Sequence, residues 1–182
     1  MKILIASDIH GSAYYCRMLK EAFIKEKADT LLLLGDILYH GPRNDLPDEY
    51  APKSVIKILS EMNCRIYSVR GNCDSEVDQM VLPFPVLADY ALLSVGQKYV
   101  FATHGHIYNE NNLPPIGSGD ILLCGHTHVP KCIEHPEYVY MNPGSVSIPK
   151  ENSSHSYMTL ENNLFLWKEL ETGSVYKQYR VR

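Results

Sequence analysis

Five short apolar runs in this chain end in a turn that carries acidic, amide or imidazole side chains. In one of them, Thr30 and four leucines lead through Gly35 to Asp36. Such a run is typical of a strand that is buried on both faces, and a glycine allows the sharp turn after it. The five turns are Asp8-Ile9-His10, Gly35-Asp36, Gly71-Asn72-Cys73-Asp74, His104-Gly105-His106 and Gly125-His126-Thr127-His128. Because open α/β sheets bind ligands at the carboxyl ends of their strands, the pattern predicts one site built from all five.

The first half of the chain alternates between strand and helix patterns. Apolar residues at helical spacing predict a helix over 12–27, with Ser12 as its cap, and a second helix over 53–62. Pro52 fits the first turn of that second helix. A third, short helix is expected over 74–80. With strands at 3–7, 30–34 and 64–69, this half is predicted to form a βαβαβ unit.

The second half is predicted to be rich in β-structure. Strands are expected at 89–95, 97–103, 121–124, 131–133, 138–141, 156–160, 164–170 and 175–181. Residues 107–119 form a loop rich in Asn, Pro and Gly, and Asn142-Pro143-Gly144-Ser145 is a turn signal. No repeat or linker interrupts the pattern, so a single α/β domain over 1–182 is expected.

Composition excludes several classes of protein. The net charge is −4 and no basic run is present, so stable nucleic-acid binding is not expected. No apolar run approaches the ~18 residues of a membrane span, and the start of the chain fits a first strand better than a signal peptide. Five cysteines, an odd number without CxxC spacing, predict free thiols in a reducing cytoplasm.

Taken singly, the turns have ordinary structural interpretations. The 8–10 pair and the Gly35-Asp36 turn occur in many folds, and Asn72 suits a left-handed turn beside Gly71. His104 could be a core histidine with a satisfied hydrogen bond. The two imidazoles of the 126–128 turn are more informative, because they point in different directions and suit two metal ions better than one. Together, the five turns favour a metal site.

These motifs, in this order, resemble the signature of the calcineurin-like metallophosphoesterase superfamily. The similarity runs from residue 8 to residue 128, with the 142–145 turn as a further element. In its compact size the chain is similar to the small bacterial and archaeal phosphodiesterases of that superfamily. The resemblance implies a four-layer α-β-β-α sandwich of two mixed sheets flanked by helices, with a two-metal centre between the sheets.

The resemblance also implies which side chains bind metal. Asp8, His10 and His128 would hold one ion, Asn72, His104 and His126 the other, and Asp36 would bridge the two. A water or hydroxide shared by the metals would attack phosphorus, and Asn72 would also bind the substrate. Nitrogen and oxygen ligands suit two divalent ions, with Mn²⁺ the first expectation and Zn, Fe, Co or Ni the alternatives.

One position departs from the superfamily pattern. Where many members have a histidine that is thought to protonate the leaving group, this chain has Cys73, whose thiol is a weak donor. His106 either takes over that role, contacting the substrate, or orients a metal ligand. The resemblance, with this departure, implies a phosphodiesterase of small-molecule diesters that have good leaving groups or that assist their own cleavage. The cysteine pattern adds the expectation of a cytoplasmic location. A phosphomonoesterase and a non-catalytic scaffold are the alternatives, and self-association into a homo-oligomer is left open.

Overall fold

Two mixed β-sheets form the centre of the fold in the computed structural model, which describes residues 1–182. The strands are β1 (Ile3–Ala6), β2 (Thr30–Leu33), β3 (Arg65–Ser68), β4 (Tyr90–Val95), β5 (Lys98–Thr103), β6 (Asp120–Leu123), β7 (Lys131–Glu134), β8 (Tyr138–Asn142), β9 (Ser156–Glu161), β10 (Leu164–Glu169) and β11 (Val175–Arg180). The six-stranded sheet has the order β11-β10-β9-β1-β2-β3, and the five-stranded sheet β4-β5-β6-β8-β7. The expected pair of mixed sheets is confirmed.

Three helices accompany the sheets: α1 (Ala13–Glu26), α2 (Pro52–Ser60) and α3 (Glu76–Val81). The Ser12 hydroxyl accepts a hydrogen bond from the Tyr15 N–H and so caps α1, as predicted. Pro52 occupies the first turn of α2. The short third helix begins two residues later than expected, at Glu76, because Ser75 is extended and serves as its N-cap, with its N–H donating to Asp78 Oδ2 at 2.9 Å. None of these helices has the length and apolar character needed to cross a membrane.

The alternation of side chains along the strands explains how the layers pack. On β1, Leu4 faces α1 and α2, whereas Ile3 and Ile5 face the second sheet. On the outer face of the five-stranded sheet, Phe101 and Leu122 pack against Tyr108 and other residues of the loop that follows β5. Helices therefore cover the six-stranded sheet, and this loop covers the five-stranded one.

The connectivity brings strand ends from both sheets to one edge of the molecule. Strands β1, β2 and β3 are parallel neighbours, which confirms the predicted βαβαβ unit. Strands β5, β6 and β8 are also parallel to one another. The carboxyl-terminal meander β9–β11 pairs antiparallel with β1 and completes the first sheet, a placement that local sequence patterns did not predict. The indole N–H of Trp167 donates to the Asn142 carbonyl at 2.7 Å and links the two sheets.

Candidate metal centre

The turns after β1 and β6 contribute one cluster of possible metal ligands. Asp8 Oδ1 lies 3.5 Å from His10 Nε2 and 3.3 Å from His128 Nε2, and the two imidazole nitrogens are 3.2 Å apart. Asp36 Oδ2 approaches the same group, at 3.6 Å from His10 Nε2. All four side chains are buried. Four donor atoms thus surround one small space.

The turns after β3, β5 and β6 contribute a second cluster. His104 Nε2 lies 3.0 Å from Asn72 Oδ1 and 3.2 Å from His126 Nδ1. The same His104 nitrogen is 3.4 Å from Asp36 Oδ2. One oxygen of Asp36 therefore contacts both clusters, and its other oxygen accepts a hydrogen bond from the Cys73 N–H at 2.8 Å.

The hydrogen bonds of the imidazoles leave their inward-facing nitrogens free to bind a cation. The Nδ1 atoms of His10, His104 and His128 lie 2.6–2.8 Å from the carbonyls of Tyr39, Leu34 and Ile148. Because a carbonyl only accepts, each Nδ1 carries a proton, and each Nε2 is the nitrogen that would present a lone pair to a cation once it is deprotonated.

Asp8 supplies a test of whether cations fit this site. Its Oδ2 accepts from the His126 N–H, but its buried Oδ1 has no hydrogen-bond donor. A buried carboxylate oxygen without a donor is costly unless a cation satisfies it. The donor set consists of imidazole, carboxylate and amide groups, which suits divalent transition metals. The residues present therefore fit a pair of such ions.

The electrostatics of the clusters also favours added positive charge. Burial opposes the charge of Asp36, but the hydrogen bond and charge of His104 outweigh it and lower the Asp36 pKa. Burial likewise opposes a charge on His104, yet Asp36 and Asp8 raise its pKa to about 9. Burial and the neighbouring His104 lower the His126 pKa to about 4. Protons on His104 thus compete with a metal ion for the same negative surroundings.

The backbone at these turns adopts an unusual conformation. Five of the seven predicted ligands have positive φ: Asp8, His10, Asp36, His126 and His128, at 48–66°. Non-glycine residues rarely adopt this region, and such strain concentrates at functional sites. A Cβ on Gly71 would lie 2.1 Å from Asp36 Oδ1, so only glycine allows this approach.

Sequence reasoning missed the groups that hold these strained turns. The buried Asp74 carboxylate accepts hydrogen bonds from the N–H groups of Asp36, Ile37 and Gly71 at 2.8–2.9 Å. The hydroxyls of Ser145 and Ser147 both donate to the Asp8 carbonyl. The sequence features that could have pointed to these roles are the 71–74 motif, which contains Asp74, and the 142–145 turn, which contains Ser145.

The two remaining predicted site residues lie at the margin of the clusters. Cys73 Sγ is within 4.8 Å of ligand atoms of His10 and Asp36. Burial and then the charge of Asp36 raise the pKa of this thiol to about 12. The His106 ring lies 5.3 Å from the His104 ring between centroids, and its buried Nδ1 has no hydrogen-bond partner. Burial and then the neighbouring His104 lower the His106 pKa.

A cavity of about 310 Å³ opens onto the clusters. None of its lining side chains is apolar; they are Asp36, Arg43, Asn44, Asn72, His126, Thr127, His128 and Lys150. Sequence reasoning singled out neither Arg43 nor Lys150, because each is an isolated cation in a loop. The cavity gives the clusters a polar entrance with two cationic side chains.

Comparison with known proteins adds an independent line of evidence. The family model of the calcineurin-like phosphoesterase superfamily domain matches residues 1–163. Phosphodiesterase YfcE of Escherichia coli is 43% identical over 181 residues, which cover 100% of this chain and 98% of the relative. A solved structure of this E. coli phosphoesterase superposes with a TM-score of 0.95 over the full length of both chains. A phosphodiesterase of Methanocaldococcus jannaschii is 27% identical over 152 residues, 79% of this chain and 83% of that relative.

Proposed function

Because the chain belongs to the calcineurin-like phosphoesterase superfamily, we propose that it is a metal-dependent phosphodiesterase that hydrolyses small-molecule diesters at a two-metal centre. The observation that carries this proposal is the position of Asp36 Oδ2, 3.6 Å from His10 Nε2 and 3.4 Å from His104 Nε2. Two dications held ~3.5–4 Å apart need an anionic ligand between them, and this carboxylate oxygen meets that need.

Each cluster is proposed to hold one divalent ion, with Asp36 shared between them. Asp8, His10 and His128 would hold the first ion, and Asn72, His104 and His126 the second. We propose Mn²⁺ as the native metal, with Zn, Fe, Co or Ni as alternatives, and nitrogen and oxygen donors suit all of these ions. When bound, these ions supply Lewis acidity toward the phosphoryl group and activate water at neutral pH.

The remaining residues of the site are proposed to position the substrate. Asn72 lines the cavity, and its Nδ2 donates to Cys73 Sγ at 3.2 Å, so its second amide N–H is the proposed donor to a non-bridging phosphate oxygen. The carbonyl contacts of the imidazoles and the hydrogen bonds to Asp74 hold the ligands in place before substrate arrives. His106 is proposed to contact a substrate oxygen at the edge of the second cluster. The five free cysteines support the proposal that the protein works in a reducing cytoplasm.

Turnover of a chromogenic diester and its monoester, with protein stripped of metal and then reloaded with single metals, tests this function. We expect diester hydrolysis that needs added metal, and a much lower rate on the monoester. A higher rate on the monoester would favour a phosphomonoesterase. Bound metal without turnover of either ester would favour a scaffold.

A further inference from the structure

The second sheet leaves one part of the inner face of the six-stranded sheet uncovered. Tyr67 on β3 is paired in register with Leu32 on β2, and the Leu32 side chain packs in the core between the sheets. Paired residues of neighbouring strands point to the same face, so Tyr67 also faces the second sheet. Tyr67 is nevertheless 54% exposed. The two sheets end at β3 and β4, and the inner face between these two strands is open.

This opening is a cavity of about 400 Å³. Ile3 and Leu32 line it from the first sheet and Ala91 and Leu93 from the second, and most of its other lining side chains are also apolar. Cavities of ~300–1,000 Å³ with mostly apolar walls and a few polar groups are typical of small-molecule sites. The cavity shares no lining residue with the polar cavity over the candidate metal centre, so it is a separate site.

Two hydrogen-bond donors stand side by side in this cavity. Thr30 and Arg65 are paired in register on β2 and β3, about 4.8 Å apart across the sheet, and both line the cavity. Thr30 is 5% exposed, and its hydroxyl has no hydrogen-bond partner within the protein. A hydroxyl so placed costs free energy until a ligand or solvent satisfies it.

Arg65 is also without a partner. It is the only charged side chain in the lining of the cavity. It takes part in none of the ion pairs of the chain. One guanidinium beside one hydroxyl, at the edge of an apolar cavity, complements a ligand with a single anionic group and an apolar body.

We propose that this cavity binds a small monocarboxylate with an unbranched apolar chain. The planar guanidinium of Arg65 pairs with the carboxylate through two parallel N–H···O bonds, and the Thr30 hydroxyl donates to the same group. The chain lies over Leu32 and Tyr67, the next register pair along the strands, and extends toward Leu93. A single guanidinium balances a single negative charge, which favours a carboxylate over a doubly charged phosphate monoester. The site is independent of the proposed phosphodiesterase function.

Calorimetry and amide NMR with octanoate test this site on the full chain. Inorganic phosphate in the buffer occupies the candidate metal centre, so that the carboxylate does not bind there. We expect saturable binding, with the largest amide shifts in the first residues of β1, β2 and β3 and in β4. Octanol has a similar chain without the charge and should bind about tenfold more weakly. Acetate has the charge without the chain and should show no saturable binding.

Variants separate the carboxylate contacts from the chain contacts. Arg65→Ala should weaken octanoate binding about tenfold and leave octanol binding unchanged, whereas Arg65→Lys keeps the charge and should lose about threefold. Thr30→Val keeps the shape without the hydroxyl and should also lose about threefold. Ala91→Leu fills part of the cavity and should weaken both ligands. Arg182→Ala, at an exposed arginine after the last strand, is the matched control and should bind as the wild type does.

Octanoate that binds Arg65→Ala as tightly as the wild type would overturn the inference, and so would the absence of saturable binding to the wild type. Amide shifts confined to the turns of the candidate metal centre would also overturn it. Diester turnover by Arg65→Ala should equal that of the wild type, because Arg65 lies outside the metal centre. A loss of turnover in this variant would contradict the separation of the two sites.

Discussion

Asp36 is the residue on which both clusters of the candidate centre depend. Its Oδ2 faces His10 and His104, while the Cys73 N–H holds its Oδ1 at 2.8 Å. The carboxylate cannot rotate away from either cluster without losing that hydrogen bond. It is also nearly inaccessible, at 2% exposure, so its charge acts in a medium that screens it weakly.

Replacement of this charge tests whether Asp36 is shared between two metals. Asp36→Asn keeps the size of the side chain but removes the anion, so we expect loss of at least one metal ion per chain and a fall in diesterase activity of about 10²-fold or more. Elemental analysis and kcat/KM on a chromogenic diester are the measurements. Asp45→Asn, in the exposed loop near the cavity, is the matched control and should retain both metals. Full metal content with near-normal turnover in Asp36→Asn would exclude the bridging role.

The thiol of Cys73 permits a test of leaving-group protonation. Cys73→His places an imidazole with pKa near 6.5 beside the cavity, where it can donate a proton. General acid catalysis is worth ~10²–10⁴ when well placed, so diesters with basic alkoxide leaving groups should gain most and activated aryl diesters little. Rates plotted against leaving-group pKa should therefore give a shallower slope for the variant. An unchanged slope would mean that residue 73 does not reach the leaving oxygen.

At this scale the sequence predicted which side chains come together, but not the groups that hold them in place. All seven predicted metal-binding positions come together in the structure, because each stands in a turn that follows an apolar strand. Arg43 and Lys150 escaped notice, because a single cation in a polar loop has no local pattern. Their approach to the cavity depends on how two distant loops fold back to one edge.

At the scale of the secondary-structure element, the turns after the strands determine the geometry of the candidate centre more than the strands themselves do. Gly35 has φ of 90°, and Asp36 after it also lies in the left-handed region, at 53°. Glycine adopts this region without strain, but an aspartate in it costs free energy that the local sequence does not offset. The buried Asp74 carboxylate repays part of it, since it binds the Asp36, Ile37 and Gly71 N–H groups at once.

Asp74→Asn tests this support. An amide has one acceptor oxygen, so at least one of the three N–H groups would face a second donor. We expect the free energy of unfolding of the metal-free protein to fall by about 2–3 kcal/mol, and the affinity for metal to fall as well. Urea unfolding in a chelator and metal titration are the measurements. Asp78→Asn, which disturbs only the capping box of α3, should cost about 1 kcal/mol or less and leave metal affinity unchanged. Equal effects of the two variants would show that Asp74 does not support the site.

The elements themselves were largely predictable, and their arrangement was less so. The bounds of α1, α2 and most strands follow from caps, prolines and apolar periodicity. The residues of β9–β11 predicted a meander, but their pairing with β1 depends on contacts more than 130 residues apart in sequence. The local sequence does not predict the positive φ of Asp8 or His128 either, since neither aspartate nor histidine requires that conformation.

At the scale of the whole molecule, one ionic network joins the first helix to the sheet completed by the last strands. Glu26, at the end of α1, accepts hydrogen bonds from Lys2 at 2.6 Å, Tyr157 at 3.0 Å and Lys168 at 2.5 Å. Its side chain is 9% exposed, and Lys168 lies 142 positions away in the sequence. The network therefore links residues near the start of the chain, Lys2 and Glu26, to Tyr157 and Lys168 near its end.

Stability below neutral pH should depend on Glu26. Burial alone would raise its pKa, but Lys168, Lys2 and Tyr157 outweigh burial and lower it from its ordinary value of 4.5. A carboxylate with a lowered pKa in the folded state stabilises the fold above pH 4.5, and this contribution disappears as the pH falls through the lowered pKa. Glu26→Gln should therefore lose about 2 kcal/mol at pH 7, measured by urea unfolding, and the difference from the wild type should shrink steadily below pH 4.5. Glu21→Gln, on the exposed face of the same helix, should show neither effect. A difference between Glu26→Gln and the wild type that stayed constant down to pH 3 would mean that packing of residue 26, and not its charge, joins these elements.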